Sequence, residues 1–569
     1  MMHRGRLVGL SAGAAAAIAF IIGLIIGFAV VYAMKTSSVA APKTITTLIT
    51  TTKTVTTTVT KAVTTTAAAA PATTTTTTAP GKFLTERIVI GTTDRVTDLD
   101  PASAYDFFTW EVLSNIMDGL VKYKPGTAEI VPAIAYKWEV KDGGRVWIFY
   151  LRKNVRFCDG TPLTAYDVVR SIKRVMRLHG DPSWLVTSFV KDVKALDKYT
   201  VEFILKKPVS FFLALVATPP YFPVSPKYPD DRIVSDATWG GAGPYCIKKW
   251  VRNQILILEA NPYYYGPKPK TKEIVIRFFR DASTMRIALE SGEIDIAWRT
   301  LRPTDYKDLA KNPNFKVIAV PGSFIRYIVV NVKMSPTNNK LVRQAIAAAI
   351  CREELNKIVF MGEMEPLYSL VPIGLWSYEP VFKEKYGDCN LKLAVKLLKE
   401  AGYSKTHKLK LVLWYTPTHY GDTEADLAQL IKQQLERTGM IEVEIKSLEW
   451  ASFVAQLRKG TMMLALLGWY PDYLDPDDYL TPFLHSGYNK WTGTGYSNPK
   501  VDKLLDEAET IVNKEKRAEI YREVQKILAE DVPFIPLLQG KLFIVVRKDV
   551  KGVMLGPTML LPYYTIYKS

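Results

Sequence analysis

The chain has 569 residues and a formal net charge of +18, with 48% hydrophobic and 23% charged residues. That length exceeds what one ordinary core organises, so several domains are expected, and the composition is that of a folded protein rather than a disordered one. The basic excess points to no nucleic-acid partner. Arg4, Arg6, Lys35, Lys43, Lys53 and Lys61 fall in the first 80 residues, which hold no acidic residue, and the body has no basic run with interleaved aromatics.

Leu7 to Met34 is apolar or small throughout and carries no charge. As a helix it would reach about 42 Å, enough to cross a bilayer core of about 30 Å with some tilt. Arg4 and Arg6 precede it, which favours an N-inside orientation. Residues 1–35 are therefore expected to be a retained membrane anchor. A cleaved signal peptide is the alternative, with small-residue sites near Val39 to Ala41. No cysteine follows the apolar run, so a lipid anchor of the bacterial type is not expected. About half of residues 36–80 are threonine, the rest mostly Ala, Val, Ile and Pro. Such a stretch builds no core and reads as a stalk over 36–81, O-glycosylated or bare, with a reach on the order of 40 Å.

From Arg87 onward short strands alternate with amphipathic helices. Arg87–Gly91, Gly144–Leu151 and Tyr199–Leu205 read as strands rich in Val, Ile, Phe and Tyr. Thr164–Leu178 reads as a helix opened by a capping box of Thr164 and Asp167. Thr423–Thr438 is a second, with Gly439 as its stop. A third is opened by Asn498-Pro499 and carries Val501, Leu504, Leu505, Ala508, Ile511 and Val512 on its apolar face. Mixed α/β architecture follows. Cys158, Cys246, Cys351 and Cys389 form no CxxC pair, which leaves one or two disulfides, in a pairing the sequence does not choose, or buried free thiols. The chain has no G-x-S-x-G, H-E-x-x-H, P-loop or dinucleotide motif, and its five histidines show no metal-ligand spacing. No catalytic residue, metal or cofactor is expected.

Several segments then occur together. They are TPLTAYDVVRSIKR from Thr161, GAGPY from Gly241, NPYYYG from Asn261 and RIALESGEID from Arg286. VRQAI follows from Val342, then Trp450, GWYPDYLDP from Gly468 and YSNPKVD from Tyr496. In order and spacing they resemble the family 5 extracellular solute-binding proteins, the dipeptide and oligopeptide receptors of ABC importers; Ala242 replaces the threonine usual at its position. The resemblance implies a periplasmic-binding-protein-like fold of two α/β lobes with an extra subdomain inserted in the first. Carried over, lobe 1 takes 82–122, 238–325 and 531–569, the subdomain 123–237, and lobe 2 326–530. It implies a monomeric binder, not an enzyme, on the extracytoplasmic face of the cell membrane. Such a protein captures a peptide by hinge closure and hands it to permease subunits. An oligosaccharide ligand on the same fold is the nearest alternative, and a signalling receptor or a secreted hydrolase the more distant ones.

The resemblance also points to the Gly468–Pro476 loop as a wall of the ligand cleft. Asp472 matches the position that pairs with a peptide's α-ammonium group, for which a carboxylate is the natural acceptor. Trp469 and Tyr470 offer aromatic contact area beside it. Trp414, Tyr415 and His419 face the ligand from the second lobe, and Tyr105 and Phe107 from the first. Asp475 and Pro476 are expected to shape the loop.

Overall fold

The computed structural model describes residues 83–417, 419–421 and 423–569. The expected anchor and stalk lie outside these residues. Among the described residues no helix is long and apolar enough to cross a membrane. Pro80–Ser569 forms one compact unit.

One mixed sheet runs through the body. Its order is Ile441–Ser447, Leu409–Tyr415, Leu464–Trp469, Phe315–Val330, Phe534–Arg547, Ile296–Trp298, Thr85–Thr92, Thr271–Phe278, Ile255–Ala260 and Tyr245–Val251. Met364–Pro366 pairs with Phe534–Arg547 beside this path. Parallel pairs occur on both sides: Thr85–Thr92 with Thr271–Phe278, and Leu409–Tyr415 with Ile441–Ser447. Thr85–Thr92 is mostly buried from Ile88 onward, whereas Ile441–Ser447 at the sheet edge alternates buried Ile441 and Val443 with exposed Glu442 and Glu444.

Two long antiparallel strands, Phe315–Val330 and Phe534–Arg547, carry the sheet across its middle. Their register runs from Phe315 opposite Arg547 to Val329 opposite Phe534, broken between Pro321 and Ile325. On one side of the break, Ile544 and Val546 join a core with Ile88, Ile90, Leu113 and Trp298. On the other, Ile325–Val330 and Phe534–Leu538 join a second core with Leu411, Leu464 and Leu480. A separate four-stranded antiparallel sheet, Ala135–Lys141, Val146–Leu151, Thr200–Leu205 and Val190–Asp197, packs into the first core.

The local signals in the sequence act as expected. Thr164 and Asp167 close both arms of a capping box on the helix Ala165–Leu178. The second helix spans Glu424–Glu436, with Gly439 beyond its end at φ +70°. Asn498 caps Pro499–Thr510 by accepting from the Lys500 N–H. The apolar face of that helix is shorter than its pattern: Val512 lies beyond the helix end and is 77% exposed, because the backbone turns extended at Ile511. All four cysteines are paired, Cys158 with Cys246 and Cys351 with Cys389, closing loops with sequence separations of 88 and 38. Cross-links of that span restrict the unfolded chain, by loop entropy worth about 4 kcal/mol for the shorter and about 4.6 for the longer. Thermal unfolding followed by circular dichroism should show the midpoint fall when the protein is reduced, and fall further for loss of Cys158–Cys246 than for Cys351–Cys389.

Candidate functional site

The strand Leu464–Trp469 ends where the two cores meet, and the loop after it turns back through Pro471, Asp475 and Pro476 into the helix Asp477–Leu484. The turn formers shape the loop, as expected of Asp475, whose carboxylate makes a two-pronged pair with Arg517 at 2.6 and 3.1 Å. That leaves Asp472 at the crown of the loop, partly buried and facing the first core. The Tyr105 hydroxyl donates to its Oδ2 at 2.7 Å. Tyr105 itself receives the Trp184 indole N–H at 3.3 Å.

Beneath Asp472 lies a second carboxylate. Asp478 is fully buried, and its Oδ2 accepts the Asp472 backbone N–H at 2.9 Å and the Trp469 indole N–H at 3.2 Å. Its Oδ1 has no hydrogen-bond partner. Burial, and then the charge of Asp472, push the Asp478 carboxyl well above the usual carboxylate range. Burial likewise raises the Asp472 carboxyl to about 7, against the opposing pull of the Tyr105 hydrogen bond. Among the described residues no cation lies against either carboxylate, so nothing offsets the burial that favours their protonated forms.

Aromatic rings line the approach. Tyr470 stacks on Phe324 at 5.2 Å and lies 5.1 Å from Phe107. Arg299 closes this group. Its guanidinium sits 4.3 Å over Phe107 and 5.0 Å over Tyr470, and its Nε pairs with Asp94 at 2.8 Å. Its Nη1 is buried without a hydrogen-bond partner. Arg299 and Thr300 are non-glycine residues at φ +64° and +60°, an uncommon backbone at the end of the strand Ile296–Trp298. Trp298 anchors that end by donating its indole N–H to the buried Glu111.

Tyr105 thus contacts Asp472, Phe107 contacts Tyr470, and Trp469 reaches Asp472 through Asp478. Trp469 faces inward, stacked on Trp491 at 5.2 Å and edge-on to Phe483. His419 stacks on Trp450 at 3.6 Å, next to Tyr420, whose hydroxyl donates to the Gly468 carbonyl at 3.2 Å. Trp414 and Tyr415 end the strand Leu409–Tyr415. Trp414 lies under the Lys446 ammonium at 5.6 Å, and among the described residues no hydrogen bond or ring contact joins either to the cluster. Arg299, Asp478, Phe324 and Trp184 were not anticipated. Only Asp478 had a signal, the acidic run after Asp472.

Comparison with known proteins agrees with this architecture. The sequence profile of the bacterial extracellular solute-binding proteins, family 5 Middle, matches residues 129–491. The chain belongs to this family. A probable D,D-dipeptide-binding periplasmic protein of Escherichia coli K12 is 27% identical over 489 residues, 83% of this chain and 92% of the relative. The ABC transporter-associated periplasmic binding protein of Helicobacter pylori, solved with the peptide STSA, superposes with a TM-score of 0.76 at 27% identity. It covers 85% of this chain and 98% of that one. The dipeptide-binding protein of Pseudoalteromonas sp. SM9913, solved with Met-Leu, shares the fold at TM-score 0.77 and 24% identity, covering 85% and 100%. As a family 5 protein the chain has the periplasmic-binding-protein-like α/β fold. It is an extracytoplasmic solute binder and not an enzyme.

The raised Asp472 carboxyl has a consequence for stability. Its folded-state value lies above its unfolded one, so its contribution is fully present below about pH 4 and is lost as pH rises through about 7. Asp472→Asn should therefore leave the unfolding free energy unchanged near pH 4 and raise it at pH 8, by about 1–2 kcal/mol after solvent screening of a partly exposed group. A pH series of unfolding curves for both proteins checks this; parallel curves would reject it.

Proposed function

We infer that this chain captures short peptides between two lobes and delivers them to the permease of an ABC importer. The observation that carries the reading is Asp472, a partly buried carboxylate that accepts from one hydroxyl and, among the described residues, has no cation against it. A peptide's α-ammonium group would take the place of the Tyr105 hydroxyl and supply the missing positive charge. The buried Nη1 of Arg299 offers a donor to a peptide carbonyl or carboxylate. Tyr470, Phe107 and Phe324 offer apolar contact without demanding one side chain. The names of the relatives, dipeptide and oligopeptide binders, support the same ligand class. The inward packing of Trp469 counts against the oligosaccharide reading, because its ring is engaged by Trp491 and Phe483 rather than presented as a stacking platform.

Closure would bend the two long strands where their register breaks, between Pro321 and Ile325, bringing lobe 1 with its inserted subdomain against lobe 2. We assign 82–122, 238–325 and 531–569 to lobe 1, 123–237 to the subdomain and 326–530 to lobe 2. The protein acts as a monomer, held at the outer membrane face by residues 1–35 on the stalk 36–81. Retention in the membrane fraction through a carbonate wash would support that anchor, and release into the supernatant would reject it.

A thermal-shift screen of the full chain should show stabilisation by free-amine di- and tripeptides and none by cello- or xylo-oligosaccharides; the reverse pattern would replace the peptide reading. Asp472→Ala should weaken peptide binding about tenfold or more, at least ~1.4 kcal/mol by calorimetry. For the unaltered protein, affinity should fall as pH drops below about 7, because the ammonium needs the ionised form of Asp472.

A further inference from the structure

We propose that Lys207 is a positioning residue for capture: with the helix Pro499–Thr510 it forms a clasp that holds the cleft shut from outside the ligand site. Lys207 follows the strand Thr200–Leu205, on the four-stranded sheet of the first core. Its ammonium lies 3.0 Å from Asp506 and 2.9 Å from Glu509, both on Pro499–Thr510, a helix whose Val501, Leu505 and Ala508 belong to the second core. The contact continues along the chain. The Ser210 N–H donates to the Glu509 carbonyl at 2.9 Å. Phe211 then stacks flat on Tyr473 at 5.1 Å with 12° between the rings, and both rings are buried.

Tyr473 is the neighbour of Asp472, and this makes the clasp more than a surface bridge. Asp472, Tyr473 and Leu474 are each held by a different group outside their own loop: the Tyr105 hydroxyl, the Phe211 ring and, from the strand Val121–Tyr123, the Tyr123 hydroxyl, which accepts the Leu474 N–H at 3.3 Å. Seating Phe211 therefore sets the position of the loop that carries Asp472. The charges give the clasp its direction. The Glu509 side chain is only 6% exposed, and its Oε1 has no hydrogen-bond partner. Closure withdraws that carboxylate from water, and Lys207 is the cation that accompanies it. Without Lys207 a carboxylate would be buried uncompensated, so the closed form would be disfavoured rather than merely less favoured. The clasp touches no residue of the Asp472 cluster except through Tyr473. Its effect on affinity is therefore the same for every ligand, since the apparent dissociation constant scales inversely with the closed fraction of the free protein.

The test uses the full chain with a dye pair at the exposed positions Tyr166 and Val512 to read separation across the clasp, and Ala-Ala and Met-Leu as probes. Lys207→Ala should lengthen the mean separation in the ligand-free chain. It should also raise the dissociation constants of both peptides by one common factor, about tenfold, through faster dissociation. Lys207→Arg should restore both readings, and Lys207→Met, which keeps the stem and loses the charge, should behave as Lys207→Ala. Unchanged separation, or different factors for the two peptides, would overturn the clasp. A lowered unfolding midpoint without a change in separation would reduce it to a structural salt bridge. If neither peptide binds the unaltered protein, the peptide reading fails and the dye separation alone decides the clasp.

Discussion

The antiparallel ladder between Phe315–Val330 and Phe534–Arg547 is the constraint on which the rest of the molecule hangs. Both hydrophobic cores use residues of this pair, so neither core is complete without it. The break in register between Pro321 and Ile325 falls at the site. There Phe324 crosses over Gly540, where a Cβ would lie 1.6 Å from the Phe324 ring, so only glycine lets the ring settle. Phe324 then supports Tyr470, and Tyr470 supports Arg299. A discontinuity in the backbone ladder is thereby turned into a column of stacked side chains at the point where the two cores approach.

The column surrounds an electrostatic deficit. Asp100, Asp475 and Glu424 are also buried acids, yet each has an arginine against it: Arg174, Arg517 and Arg326. Asp472 and Asp478 have none, only neutral donors. Glu111 and Asp477 are likewise buried without a cation against them, but each accepts hydrogen bonds from several neutral donors, whereas one oxygen of Asp478 has no partner. Perturbed groups of this kind concentrate where a protein binds or reacts, because a site optimised for stability would have been given its counter-ion.

Much of the fold was legible because its signals are local. The capping box at Thr164 and Asp167, the Asn498-Pro499 start and the Val/Ile-rich strands each declare themselves within a few residues. Of the site, the Trp469–Asp472 loop was legible as a family pattern, and Tyr105 and Phe107 joined it in space. Arg299 and Phe324 were not, since their roles arise from a left-handed backbone turn and a register break that depend on strands far away in sequence. The cysteine pairing was closed to sequence for the same reason: four separated cysteines allow three connectivities, and only the packing of Cys158 against Cys246 and Cys351 against Cys389 chooses one. Val512 continued the helical spacing of its apolar neighbours, but periodicity does not report where the backbone stops being helical.

The grip on residues 472–474 argues that closure and recognition are one event rather than two. If Asp472 were carried by a loop anchored wholly in the second core, ligand could bind first and closure could follow at leisure. Instead Asp472, the proposed ligand contact, is followed by a ring seated against Phe211 of the first core and an amide bonded to Tyr123 on the strand Val121–Tyr123. In this arrangement the loop's geometry draws on groups of both cores. A ligand that engages Asp472 therefore stabilises the closed form by its full interaction energy, and a molecule that fails to neutralise the acid pair leaves the closed form with an unrelieved charge cost. On the proposed reading, selectivity for a cationic terminus would then reside in the closing equilibrium itself, so that a site lined by permissive aromatic surface could still discriminate.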